Sequence, residues 1–485
     1  MAKKRIIRKR KKSNRKMREN SSYAPLCALS GLIESRGILE CIHEKVKIPQ
    51  KKVDYRPTDK LVFVVLGIIS GCEVMFDLNR KLRVDKVLLR AFGYQKCADQ
   101  SVIQRTLDAA TDENVEQLES ALKTIWDDHN MTVSLLEDAQ KAGRVETIDI
   151  DLSGMPASSK AEGSEKGYFA GKRNIHGRQL ARILVPRTQE IVAESLYPGN
   201  MTSCKVLKDM VEKMEQHLSL STREQRRLIR LRLDGGFGTD ENINYALWRG
   251  YHLLVKMYSW KRAKILAKSV HEWVDISPGS DNRPRQAGWV SQPHCYGRKT
   301  KQLAICMPRK KGKGYQYSVL ITTDMNADLH STVDDYDGRS GVPESTFCQD
   351  NQGLGMRKRR KKSFVAQQML VLLNQLAHNL IRWVQNWMIT ALMRISSMKS
   401  SWSSWRNPPY VLNSEDPSIA VKTLSSFGMK RFVCQVLCLS GEVTVKRGKV
   451  IQIKLNPLYP MISRIRTAFD ALLKPYGITV SLHEI

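Results

Sequence analysis

The chain has 485 residues, 42% of them hydrophobic, and 79 Lys and Arg against 48 Asp and Glu, for a formal net charge of +31. That length can bury a core and supports more than one domain, while the cationic excess opposes compaction and so implies a polyanionic partner, double-stranded DNA before a membrane surface. No uncharged apolar run reaches the length of a membrane span, and ten scattered cysteines form no CxxC pair, so neither a transmembrane helix nor a zinc site is expected.

Residues 1–20 (MAKKRIIRKRKKSNRKMREN) read as a polybasic arm with little to bury, disordered until it meets phosphate. The next segment, SSYAPLCALSGLIES, is only weakly apolar and lacks a cleavage site, so secretion is not expected and a cytoplasmic, nucleoid-associated protein is. Residues 21–140 are assigned to an α-helical DNA-binding region. TDKLVFVVLGIISG opens on Thr58 or Asp59 as a cap, and VDKVLLRAFG and ADQSVIQRTLD form a helical pair around Gly93, with Ser101, Gln104 and Arg105 on its second member. Near Val145 the period changes to two: in ETIDIDLS, Asp149 and Asp151 share one face and Ile148, Ile150 and Leu152 the other. A Gly- and Lys-rich turn precedes two strands (RQLARILVP, EIVAESLYPG). A helix over 203–218, the strand LIRLRL, the helix DENINYALWR and the strand HLLVK complete an α/β pattern over 141–258. A β-rich insertion is placed at 259–328, the last part of the core at 329–398 with a long helix from Phe364, and a C-terminal region at 399–485. That region holds a hairpin at Arg447-Gly448 and a final helix, and is a candidate dimer or DNA contact.

Three acidic positions sit at the edges of these elements: Asp151 in ETIDIDLS, Asp234 in LRLDGGFG and Glu344 in YDGRSGVPES. Carboxylates gathered from so far along a basic chain suit two-metal phosphodiester chemistry. There, hard oxygen ligands hold two Mg2+ (or Mn2+) ions, one activating the attacking water or 3′-hydroxyl and one stabilising the leaving oxygen. Singly, each is an ordinary turn or cap residue. Arg339 offers a planar fork for a phosphate oxygen and Tyr336 a ring that stacks or donates. The run Arg357, Lys358, Arg359, Arg360, Lys361 and Lys362, with Arg173 and Arg178, and also Lys172 and Lys256, is expected to grip DNA beside the cut. Trp260, Trp273 and Trp289 are candidates for stacking on an unpaired base.

The segments GYFAGKRNIHGRQLARI, LRLDGGFG and YDGRSGVPES, with QGLGMRKRRKKSFVAQQMLVLLNQLAHNLIRW, resemble bacterial insertion-sequence transposases of the DDE type, in the branch whose core carries a β-rich insertion. The resemblance covers about residues 140 to 395. It implies a ribonuclease-H-like catalytic core with Asp151, Asp234 and Glu344 as catalytic and metal-holding acids, Asp149 being the reserve for the first. It also implies cleavage of the element's own terminal inverted repeats, joining of the 3′-hydroxyl ends to target DNA, and a homodimer holding two ends. The third motif departs from the family's pattern: Pro343 adds a residue before Glu344, and Asn351 stands where the family has lysine. That departure keeps two alternatives open, an inactive DNA-binding relative and a ribonuclease-H-like nuclease that cuts without joining.

Overall fold

The computed structural model describes residues 17–51, 54–169, 172–279, 282–310, 313–339, 345–402 and 417–484, leaving aside the side chains at 172–173, 345 and 396–402. The chain divides into two compact units, one of residues 1–128, 349–359 and 372–485, the other of 129–348 and 360–371.

The first unit opens on β1 (Met17–Ser21) and α1 (Ala24–Ser35), followed by α2 (Glu40–Lys45), α3 (Pro57–Ile69), α4 (Lys86–Ala91), α5 (Gln100–Asp108) and α6 (Asp112–His129). The strand shortens the expected arm, since residues 17–21 pair with the backbone of residues 441–445; residues 1–16 lie outside the described residues. At the start of α3, Pro57 occupies the first turn and Asp59 accepts from the Arg56 amide at 2.7 Å, so Asp59 closes the helix end as a reaching-back side chain. Every position from Thr58 to Ile69 is buried, which explains its all-round apolar sequence. Asp85 caps α4 by accepting from Leu88, and Asp99 caps α5 by accepting from Ser101. Between them Gly93 takes φ +81°, a conformation that suits glycine. Ser101 and Arg105 stand exposed on α5, with Gln104 half-buried.

The second unit begins with α7 (Thr132–Lys141) and then builds its sheet from β2 (Glu146–Pro156), β3 (Glu165–Phe169), β4 (Lys172–Val185) and β5 (Glu190–Pro198). After α8 (Ser203–Leu218) and the single turn α9 (Arg223–Arg226) come β6 (Ile229–Leu233), α10 (Asp240–Arg249), β7 (His252–Lys256) and α11 (Trp260–Leu266). Four more strands, β8 (Val274–Ile276), β9 (Arg285–Trp289), β10 (Lys301–Pro308) and β11 (Tyr315–Thr322), precede α12 (Leu329–Arg339). Ten strands form one mixed sheet in the order β3-β4-β2-β6-β7-β11-β10-β9-β8, with β5 also on β4. Its centre, β2-β6-β7, is parallel, while β4 runs antiparallel to β2 and β11 antiparallel to β7. Ile148, Ile150, Leu231, Leu233, Leu253 and Val255 are each at most 2% exposed, so the centre is a continuous apolar layer. Helix α8 lays Val206, Leu207, Met210 and Val211 against β2, β4 and β5. The β-rich insertion is therefore an extension of the core sheet, because β11 hydrogen-bonds to β7 rather than closing a separate barrel. The segment expected as a turn near residue 165 forms β3, whose partner is the outer half of the long β4.

The division between the units falls within α13 (Ser345–Gly353) and α14 (Phe364–Trp402). In the first unit, Leu373, Leu376, Ala377, Leu380 and Val384 of α14 are buried, and His378 Nδ1 lies 2.8 Å from Asp350 Oδ1 with both side chains at 0% exposure. That closed pair makes His378 a structural residue. Then come α15 (Pro417–Ser425), α16 (Met429–Phe432), β12 (Gly441–Lys446), β13 (Lys449–Leu455), α17 (Ile462–Leu473) and β14 (Thr479–Leu482). The expected hairpin is present, Arg447 and Gly448 both taking positive φ (53° and 76°) as a two-residue turn requires. It joins β1 and β14 in a four-stranded sheet ordered β1-β12-β13-β14. Among the described residues no helix is long and apolar enough to cross a membrane.

Candidate active site

The site grows from the register of two neighbouring strands. In the parallel pair β2 and β6, Ile150 lies opposite Leu233, so the next residues, Asp151 in the middle of the longer β2 and Asp234 just past the carboxyl end of β6, come side by side. Adjacent strands lie roughly 4.8 Å apart, which places two carboxylates within reach of one cation. Asp151 is 8% exposed and meets the Arg339 guanidinium at 3.3 Å. Asp234 is half-buried and accepts from the Gly236 amide at 2.9 Å, which fixes its rotamer in the turn leading to α10. The turn is forced close to β7: a Cβ on Gly238 would stand 1.9 Å from the Lys256 carbonyl oxygen.

Helix α12 supplies the cationic side. Arg339 is buried, and although burial opposes its charge, Asp151, Tyr336 and Asp234 outweigh it and hold the guanidinium protonated above its ordinary range. Tyr336, one turn earlier, is partly buried against the cluster of Ile276, Ala287, Leu303, Ile305, Leu320 and Val333. Burial pushes its hydroxyl pKa up, opposed by Arg339 and assisted by Asp234. Lys256, the last residue of β7, adds a second cation. Its pKa is lowered by burial, with Asp234 pulling the other way and Arg339 adding to the depression.

Asp149 has a different environment. It is 0% exposed and grips Arg232 with two bonds of 2.7 Å, Nε to Oδ1 and Nη2 to Oδ2. Burial pushes its carboxyl pKa up against the pull of Arg232. Both oxygens are thus committed to a structural pair beneath the site. IRLRL puts Arg230 and Arg232 in alternation, and the register sets them beside Thr147 and Asp149. Without that register the pairing is invisible in the sequence.

The other expected site residues divide. Arg178 is 2% exposed and donates to three carbonyls, those of Glu162 at 2.7 Å, Lys361 at 3.1 Å and Lys362 at 2.7 Å. It ties the 360–362 segment to β4 and presents nothing to DNA, which corrects the expectation for it. Arg359 is corrected likewise: it is 4% exposed, donates to the carbonyls of Cys72 and Glu73 and to Asn374 Oδ1, and burial lowers its pKa to about 10. Lys358 is exposed and ion-paired with Glu73, Arg357 and Lys361 are half-buried, and Arg360 and Lys362 are exposed. The six cations are therefore a mixture of anchors and surface charges. Arg173 sits on β4 and Lys172 begins it, but their side chains lie outside the described residues, as does Glu344 altogether. Trp289 stacks under Lys301 at 3.8 Å and Trp273 lies 6.2 Å from Tyr317, whereas Trp260 is 65% exposed. It borders a groove of about 960 Å³ beside the Asp234 turn, lined by Gly235, Gly236, Lys256, Tyr258 and Tyr315 among others.

No cluster of three metal-ligating side chains occurs among the described residues. Asp151 and Asp234 nonetheless make a donor set suited to a hard divalent ion, which takes few carboxylates and keeps several waters.

Among solved structures, a piggyBac transposase synaptic complex with hairpin DNA matches over 87% of this chain and 83% of its own, at 12% identity and a TM-score of 0.40. At that score the likeness carries no argument about activity. No curated protein matches the chain. A family model described as transposase DDE domain group 1 matches residues 9–400, most of the chain and the whole span that holds the paired acids. The chain belongs to that family of DDE transposases.

Proposed function

We propose that the protein cuts the terminal inverted repeats of its own mobile element, a bacterial insertion sequence, and joins the freed 3′-hydroxyl ends to target DNA. The observation that carries this reading is the placing of Asp151, midway along β2, beside Asp234 at the carboxyl end of β6, with Arg339 against Asp151. The order of β5, β4, β2, β6 and β7, three parallel strands flanked by an antiparallel hairpin, supports a ribonuclease-H-like core. Asp151 is favoured as the first acid because Asp149 has both oxygens committed to Arg232. Glu344 is the third acid in this reading, on the sequence pattern alone.

Asp151 and Asp234 would hold the divalent metal, Mg2+ or Mn2+, in a two-ion site; when bound it supplies Lewis-acid activation of water or a 3′-hydroxyl. Arg339 then sits where it can neutralise a phosphate oxygen at the scissile bond, and Tyr336 buttresses it from the adjoining turn of α12. The exposed Arg360 and Lys362 and the helical pair α4–α5 are the proposed contacts to flanking duplex. Two ends must be held at once for joining, so a homodimer is expected, acting in the cytoplasm on the nucleoid.

The test uses purified protein, a labelled duplex bearing the repeat that flanks its gene, and Mg2+ or Mn2+. The native chain should nick at the repeat boundary and transfer the end to a target plasmid, while Asp234→Ala and Glu344→Ala bind without nicking. Nicking unchanged in Asp234→Ala sinks the assignment. Nicking without transfer favours a simple nuclease, and salt-sensitive binding with no cut in either metal favours an inactive relative.

A further inference from the structure

Helix α12 carries Tyr336 and Arg339, and the acids Asp334, Asp335 and Asp337 crowd its last two turns. Anions at the carboxyl end of a helix oppose its dipole, so the helix by itself gains nothing from them. Two of the three are answered by arginines from different strands. On one face of the helix, four residues apart, stand Asp335 and Arg339. Asp335 pairs with Arg230 of β6 at 3.0 Å, its carbonyl accepts from Arg232, and Arg339 meets Asp151. Leu329, Val333, Tyr336 and Asp337 follow one another along a second face, at the spacing of helical neighbours. The first three pack on Ile276, Ala287, Leu303, Ile305 and Leu320, which belong to β8–β11. Asp337 accepts two bonds from Arg285 of β9, Nη2 to Oδ2 at 2.6 Å and Nη1 to Oδ1 at 3.3 Å.

Arg285 is itself anchored. Its side chain is 6% exposed, and its Nε donates to the Ser277 carbonyl at 2.8 Å, so the plane of the guanidinium is set by main chain before it reaches the helix. A fork that meets a carboxylate through two nitrogens fixes direction as well as distance, which a single point charge does not. Asp337 lies two residues before Arg339 in the same last turn. Holding the one therefore limits where the other can stand.

We infer that Arg285 is a positioning residue: through Asp337 it holds the last turn of α12 so that Arg339 stands against Asp151. The β-rich extension of the sheet thus contributes to the geometry of the site from β9. The inference rests on the transposase reading for what Arg339 does there, and its test carries a readout that needs no cleavage.

The test compares the full chain with Asp337→Ala, Asp337→Glu and Arg285→Lys. Three quantities are read: affinity for the repeat duplex in EDTA, single-turnover nicking in Mg2+, and amide hydrogen exchange along α12. Asp337→Ala should slow nicking by roughly tenfold to a hundredfold, the range for a displacement of about 1 Å, and leave duplex affinity within about twofold. Alanine is the better helix former and removes an anion from the carboxyl end, so local propensity alone slows exchange in α12. Loss of the clamp instead speeds it, and only over residues 335–339. Asp337→Glu should recover much of the rate because the carboxylate returns, whereas Arg285→Lys, which keeps the charge and loses the fork, should stay slow. Native nicking in Asp337→Ala or in Arg285→Lys overturns the proposal. Equal loss of binding and nicking overturns it, since Asp337 would then act on DNA affinity, and exchange quickened throughout the second unit makes the pair merely structural and overturns it too. A native chain that never nicks, with exchange quickened at 335–339 in Asp337→Ala, sinks the transposase reading alone; nicking indifferent to all three variants sinks this inference alone.

Discussion

Two aspartates two residues apart on β2 should fail in opposite ways when removed. Asp149 is fully buried, and its loss leaves Arg232, 7% exposed along its side chain, facing the interior with an uncompensated charge. Breaking such a pair from one side costs about 3–5 kcal/mol. For a body of this size each kcal/mol moves the melting temperature by about 2–4 °C, so Asp149→Ala should melt roughly 6–20 °C below the native chain. Asp151 meets Arg339 at 3.3 Å, and Arg339 keeps Asp234 as a second carboxylate neighbour. Removing Asp151 leaves Arg339 with Asp234 as its remaining carboxylate neighbour, so Asp151→Ala should cost less stability than Asp149→Ala while losing nicking. The double variant Asp149→Leu with Arg232→Met should recover most of the stability, because a buried ion pair exchanged for apolar side chains is often neutral. Thermal melting by circular dichroism and nicking of the repeat duplex, read on the same samples, decide the matter. Native melting in Asp149→Ala, or native nicking in Asp151→Ala, would refute the division of labour.

Gly238→Ala drives a methyl into the Lys256 carbonyl, so it should cost about 1–3 kcal/mol and reduce nicking by displacing Asp234; unaltered melting would show that the turn can give. Arg178→Ala should lower the melting temperature and leave the salt slope of duplex binding unchanged, whereas Lys362→Ala should lower that slope by about 0.9 with native melting; the salt series separates anchor from contact. His43 and His252 have their pKa lowered from 6.5, first by burial and then by Arg56 and Arg298 respectively. The unfolded chain therefore takes up protons before the folded one: their contribution is complete above about pH 6.5 and is lost as the pH falls through that value towards the folded pKa. His252→Gln should flatten the fall of melting temperature measured between pH 7.5 and 5.5.

Element types were readable wherever one period ran long enough. Helix α8 begins and ends where its pattern does, and β2, β6 and β7 stand where the alternation or apolar runs place them. Strand β3 was not readable, because Glu165, Lys166 and Gly167 carry no apolar face; its pairing with the outer half of β4 holds it. β1 was hidden for the same reason, MRENS being polar and secured by backbone pairing to β12. For the site, sequence spacing could nominate Asp149 and Asp151 as residues on one face but could not rank them by environment. Ranking required knowing which residue of LRL lies opposite each, and that is a property of the register. The basic run misled because charge alone does not reveal direction: Arg359 turns inward to two carbonyls, while its neighbour Arg360 is exposed.

The charges of the second unit can be sorted by whether they are closed. Arg182 and Glu194 meet at 2.7 Å with 1% and 0% of their side chains exposed, and Asp149 and Arg232 close with two bonds of the same length. Such pairs have satisfied their electrostatic attraction within the fold and offer little to a ligand. Around Asp151 and Asp234 the setting is different: Asp151 meets Arg339 at 3.3 Å, Asp234 accepts from the Gly236 amide, and Lys256 lies near enough to Asp234 to feel its charge. The chain thus brings two acids and two cations together in one place. Acids in that condition suit a metal ion, and cations a phosphate, and a phosphodiester undergoing metal-assisted transfer supplies both.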